Sequence, residues 1–171
     1  MTSVVRNTFS AAKAIDLDVR RELGPPDEGL RADTQQVVPR SLARDTRGYI
    51  EKIANQANGC YENGWYDACA ILVRRLIETL IIEAYEKHSI AQRIKNGHGD
   101  FFFLRDLIAQ CLSEPTWNLS RNCKQALPKL KDIGDKSAHS RRYVAQRGDL
   151  EPLLADIRLV VQELIYLAGL K

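Results

Sequence analysis

Apolar residues between Trp65 and His88 fall at positions 65, 69, 72, 73, 76, 77, 80, 81, 82 and 84. On a helix that turns about 100° per residue they cover well over half of the circumference. One neighbour cannot cover so wide a surface, so this segment is expected to be the central, mostly buried helix of an assembly of helices. Its remaining face carries Arg74, Arg75, Glu78, Glu83, Glu86 and Lys87 at spacings of three and four residues. Exposed pairs of that kind contribute only about 0.2–0.5 kcal/mol each. Burial would oblige Arg74 or Arg75 to pair with Glu78, and these three are read as a structural ion pair.

The flanking sequence supplies the neighbours. Apolar spacing predicts further helices over about 45–63, 101–113, 120–138 and 149–168, with no convincing alternating segment and no solenoid repeat. The last of these repeats Leu150, Leu154, Ile157, Val161, Leu164 and Ala168 at alternating four and three, flanked by Leu153, Val160, Ile165 and Leu167. That stripe is wide enough for two partners. Asp149 is expected to cap this helix and Gly169 to end it. Pro128 lacks a backbone donor and is expected to kink or split the fourth helix. Lys95-Asn96-Gly97-His98-Gly99-Asp100 reads as a turn. Residues 1–44 read as an N-terminal appendage, with a short helix from Ser10 to Leu23, a stop at Gly24-Pro25-Pro26-Asp27-Glu28-Gly29 and a polar connector to Arg44. The fold class is all-α, with the bundle in residues 45–171. One domain of this size buries about 70% of its unfolded surface and needs neither disulfide nor metal to hold it.

Several chemistries find no support. No apolar run approaches the roughly 20 residues of a membrane span, and the first residues lack a signal peptide's hydrophobic core, so a cytoplasmic protein without membrane contact is expected. Cys60, Cys69, Cys111 and Cys123 have no CxxC spacing and read as reduced core residues. His88, His98 and His139 pair in spacing neither with each other nor with cysteine, so neither metal nor cofactor is expected. No GxxxxGK[ST] loop occurs, no GxSxG elbow surrounds Ser137 or Ser140, and no thiol-protease signature accompanies Cys123.

What remains is concentrated near His139. Residues 121–147 hold eight Lys or Arg against Asp132 and Asp135, a local balance of +6 where the whole chain is +3. Such segregation points to an anionic partner. Histidine titrates near neutral pH and can take a proton from a ribose 2′-hydroxyl or return one to a leaving oxygen. Cleavage of a phosphodiester also needs a fixed cation where charge develops, and Lys131, Lys136, Arg141 and Arg142 are nearest in sequence. On a continuous helix Asp135 shares the face of His139 and is expected to orient its ring, while Lys131 lies about 80° around the axis. The plain alternative is a helix-terminal histidine that caps a carbonyl or packs against its neighbours.

The run from Tyr61 to Glu78, followed some fifty residues later by Leu130-Lys131-Asp132-Ile133-Gly134-Asp135-Lys136-Ser137-Ala138-His139, resembles the HEPN superfamily of small helical bundles. Within it, the chain is similar to a prokaryotic domain of unknown function that occurs alone or fused to restriction-type defence proteins. That domain shows a G-x-Y-x-x-A entry, an arginine-and-glutamate central helix and a glycine-[Asn/Asp]-x-x-Ala-His signature. The resemblance covers about residues 45–168. It implies an antiparallel four- to five-helix bundle that dimerises with the two signature segments facing across the interface. Active relatives are metal-independent endoribonucleases that use an arginine, four to six intervening residues and a histidine. Here that arginine is missing and Gly134 takes its usual place; Arg93 and His98 satisfy the bare spacing but straddle a turn.

These readings lead to a non-catalytic homodimeric module that binds RNA, nucleotide or another anionic partner through Lys136, Arg141 and Arg142 around His139, in a setting of prokaryotic defence. The alternative is a metal-independent endoribonuclease with His139 as general acid/base, Lys131 as electrostatic partner and Asp135 behind the ring. A self-association scaffold is the third reading. Aromatic residues able to stack on a base in this region are Trp117 and Tyr143.

Overall fold

The computed structural model describes residues 36–171, and the helix expected over residues 10–23 with its stop at 24–29 lies outside them. Five long helices carry the fold: α1 (Gly48–Glu62), α2 (Tyr66–Lys87), α3 (Leu104–Ser113), α4 (Arg121–His139) and α5 (Leu154–Leu167). Among the described residues the only extended pairing is an isolated bridge between Lys95 and Phe101. The protein is an all-α antiparallel bundle.

Helix α2 is its axis, touching α1, α3, α4 and α5. Cys69, Ala70, Val73, Leu76, Ile77, Leu80, Ile81 and Ala84 are all fully buried, as its wide apolar surface requires. The chain turns from α1 into α2 at Gly64, whose φ of 75° suits glycine, with Trp65 N–H donating to Cys60 O at 2.8 Å. On α5 the whole predicted stripe, Leu150 to Ala168, is buried.

Four details depart from the sequence reading. The connector expected to run to Arg44 joins the core well before it: Val37 and Val38 are fully buried. The Asn58 side chain pairs with both polar groups of Val38, at 2.9 and 2.8 Å, and the Arg158 guanidinium donates to Gln36 O at 2.7 Å. Helix α3 starts at Leu104 instead of 101, because Asn96 closes the predicted turn and Phe102 N–H donates back to Ile94 O at 2.9 Å. Asp149 does not cap α5; its carboxylate accepts from Gln146 N–H in a preceding short turn, and α5 begins only after Pro152. Pro128 does not split α4, which is continuous from Arg121 to His139. Pro128 and Lys124 are both exposed, so the carbonyl the proline leaves without a donor is hydrated.

Candidate functional site

Helix α4 is aimed by its first residue. Ser120 accepts from Cys123 N–H at 3.1 Å as N-cap, and Glu163 of α5 in turn accepts from Ser120 N–H at 2.9 Å. Eighteen residues later the helix delivers His139, exposed, in its last turn, where Ser140 N–H donates to Lys136 O at 3.0 Å. The chain then folds back because Asp67, at the start of α2, accepts from Ala145 N–H at 2.9 Å.

The approach of α4 to α2 is set by Gly134. A Cβ there would stand 2.6 Å from Arg74 Cβ and 3.2 Å from Ala70 O, so only hydrogen fits at this crossing. The contact brings Arg74 beside the next residue of α4. Arg74 Nε donates to Asp135 Oδ1 at 2.8 Å and its Nη1 reaches Glu78 Oε2 at 3.5 Å. Lys131 Nζ lies 2.7 Å from Asp135 Oδ2 and 3.3 Å from Asp132 Oδ1. Burial alone would raise the Asp135 carboxyl, but the hydrogen bonds from Lys131 and Arg74 outweigh it and hold it below its ordinary range. The same bond to Asp135 keeps Lys131 protonated to higher pH than usual.

These groups open onto a cleft of about 480 Å³ lined by Arg74, Phe103, Arg105, Asp106, Lys131, Asp135 and His139. Three of the residues expected to act together, His139, Lys131 and Asp135, therefore do meet. Lys136, Arg141 and Arg142 are exposed and lack an ion pair among the described residues, but they are not among the residues that line the cleft. The predicted ion pair is partly corrected: Arg74 joins Glu78 and Asp135, whereas Arg75 is exposed and apart from both. The basic run is not one patch. Arg121 and Lys124 sit at the far end of α4, roughly 27 and 22 Å from His139 at about 1.5 Å per residue. Lys129 and Arg147 are paired with Asp156 and Glu151 at 3.6 and 3.5 Å.

Asp135 does not orient the histidine, since its two oxygens serve Arg74 and Lys131. Among the described residues neither imidazole nitrogen has a partner. Trp117 is no stacking surface: it is buried against Tyr85, with ring centroids 4.5 Å apart. Tyr143 is half-buried. Ser137 Oγ is buried, which removes it from any nucleophilic role, and Cys69, Cys111 and Cys123 are buried thiols pushed up to about 12 by desolvation. Among the described residues no group of three or more His, Cys, Asp or Glu is placed to hold a metal ion, and no helix is long and apolar enough to cross a membrane.

The cleft also contains residues that the sequence does not tie to His139. Arg74, read from the sequence only as part of an ion pair, comes from α2, and Arg105 and Phe103, not singled out there, come from the start of α3. Arg74 and Lys131 already hold the Asp135 carboxylate between them, and Arg105 is paired with Asp106 at 3.0 Å, so a ligand oxyanion would share these cations with the carboxylates or displace them, with an imidazole at the rim. Comparison with family models, curated proteins and solved structures finds no match.

Proposed function

We propose that this protein is a non-catalytic, homodimeric module of HEPN type that binds RNA or nucleotide on the α2–α4 cleft. One observation carries the reading: Arg74, Arg105, Lys131 and an exposed His139 line a single cleft, and three further exposed cations, Lys136 in the last turn of α4 and Arg141 and Arg142 just after it, are close to His139 in sequence. The two segments that carry the HEPN resemblance also touch, through Gly134 and Arg74, which supports their acting as one unit. Binding is favoured over cleavage because the place of the family arginine is walled by α2 and the carboxylate nearest the histidine is bound elsewhere. Loss of one charge-stabilising donor typically costs about 10²–10³ in rate.

The dimer rests on a second feature. An apolar groove of about 560 Å³ runs between α1 and α2, bounded by Cys60, Ala68 and Leu72, with Trp65 60% and Ile71 39% exposed beside them. A tryptophan so open in a well-packed bundle suits burial against a second copy.

The test is titration of a fluorescein-labelled single-stranded RNA with the full chain across a range of NaCl, in EDTA. Neutralisation of about three phosphates gives a slope of log affinity on log salt near −2, and the RNA is recovered intact. Binding that ignores salt, or no binding at low salt, refutes the reading. Cleavage that His139→Ala abolishes transfers the site to the endoribonuclease alternative.

A further inference from the structure

Within the cleft one residue is not accounted for by charge. Phe103 is 81% exposed and lines the same wall as Arg74, Lys131 and His139. Its position is fixed by backbone. The Phe103 carbonyl accepts from Asp106 N–H at 2.9 Å and Leu107 N–H at 3.0 Å at the start of α3. Just before it, Phe102 N–H is held by Ile94 O and Phe101 bridges Lys95. Along this extended stretch side chains alternate: Phe102 and Leu104 turn to the core, Phe101 and Phe103 away from it. Phe101 is less exposed, at 36%, and already carries Lys95 Nζ 4.7 Å from its ring centre. Phe103 has no ring or cation partner among the described residues, and it is the aromatic side chain most exposed among them.

We infer that Phe103 is a base-stacking subsite, so that the cleft takes an unpaired nucleotide and not merely a polyanion. The inference rests on the anion-binding reading above and adds to it the class of ligand. A flat, uncovered ring beside a guanidinium, an ammonium and an imidazole offers the two things a single-stranded nucleotide presents together, a π-face and a phosphate. An inorganic anion uses only the cations. A duplex hides its base faces within its own stack and uses only the cations as well. An acidic peptide with an apolar side chain would also meet both features, and the comparison below separates it by requiring the nucleobase.

The experiment measures affinity of the full chain, at low salt, for three ligands carrying equal numbers of phosphates: single-stranded oligoadenylate, the same oligomer made abasic, and an RNA duplex. The single strand binds about tenfold more tightly than the abasic oligomer, the size expected for one stacked base. Phe103→Ala removes that difference and leaves affinity for the abasic oligomer unchanged; Phe103→Trp restores it. Because the side chain is exposed, neither variant disturbs the core. Equal binding of the base-bearing and abasic strands overturns the stacking subsite while leaving the anion site intact, as does a Phe103→Ala loss that is equal for both. Absence of binding to all three overturns the anion reading itself, and with it this inference.

Discussion

Gly134→Ala is the substitution on which general helix propensity and this structure disagree in sign. In a helix interior, alanine is better than glycine by about 0.8–1 kcal/mol. Here the new methyl would lie 2.6 Å from Arg74 Cβ, 3.0 Å from Arg74 Cδ and 3.2 Å from Ala70 O. Two of those atoms are anchored to the α2 backbone, so no rotamer change relieves them. Restoring an ordinary contact of about 3.5 Å requires the helices to part by roughly 1 Å, enough to forfeit a quarter to a half of each neighbouring dispersion contact. Overpacking of this kind costs about 1–3 kcal/mol, and the backbone character of the clash puts it at the upper end. After subtracting the propensity gain, a net loss of about 2 kcal/mol remains, or a fall of about 4–8 °C in Tm. Urea unfolding of the full chain, followed by far-ultraviolet circular dichroism, measures it. Gly59→Ala is the control, because Gly59 is in α1 and a Cβ there meets nothing within 4 Å; it should be neutral or stabilising by up to about 1 kcal/mol. Arg74→Ala should not rescue Gly134→Ala, because alanine keeps the offending Cβ. If Gly134→Ala stabilises the protein as Gly59→Ala does, the close crossing of α2 and α4 is wrong, and so is the route by which Arg74 reaches the cleft.

Other outcomes follow from the same contacts. Asp135 occupies the space between Arg74 and Lys131 that a ligand phosphate would use, so Asp135→Asn should tighten RNA binding several-fold in the anisotropy titration; weakened binding would mean that the carboxylate positions these cations for the ligand. The acid response of that variant is also fixed in sign. Asp135 is held ionised below its ordinary range, so its contribution is present above the unfolded carboxyl value near 3.9 and lost as pH falls through the lower folded value. The stability gap between wild type and Asp135→Asn should be full at pH 6, no more than about 1 kcal/mol for so accessible a network, and should shrink as the pH falls below the unfolded carboxyl value near 3.9; a gap that widens on acidification contradicts the assignment. If the proposed dimer forms through the α1–α2 groove, the wild type sediments as a dimer and Trp65→Ser with Ile71→Lys as a monomer of unchanged helicity; a monomeric wild type refutes the dimer, and a double variant that still dimerises puts the interface elsewhere.

The sequence was informative wherever one helix buries one stripe. Leu150, Leu154, Ile157, Val161, Leu164 and Ala168 could be assigned to the core because period and burial are the same fact seen twice. It was silent wherever the partner is distant. Val37 and Val38 have no periodicity of their own, and their anchors, Asn58 and Arg158, are twenty and more than a hundred residues away. Phe101 and Phe102 look like the start of a helix until Asn96 folds the chain back and pairs them with the preceding strand of backbone. Pro128 removes a donor without splitting α4, because whether a missing donor breaks a helix depends on which side of it faces water. The same division runs through the cleft. His139, Lys131 and Asp135 were legible together because they share α4, whereas Arg74, Arg105 and Phe103 arrive from two other helices. The single local trace of that arrival is Gly134. A glycine inside a helix forgoes about 1 kcal/mol relative to alanine, which calls for a packing reason, and at a buried position that reason is another backbone passing close. Gly134, which the HEPN resemblance sets where an arginine would be expected, is therefore also the residue that lets an arginine of α2 stand beside Asp135.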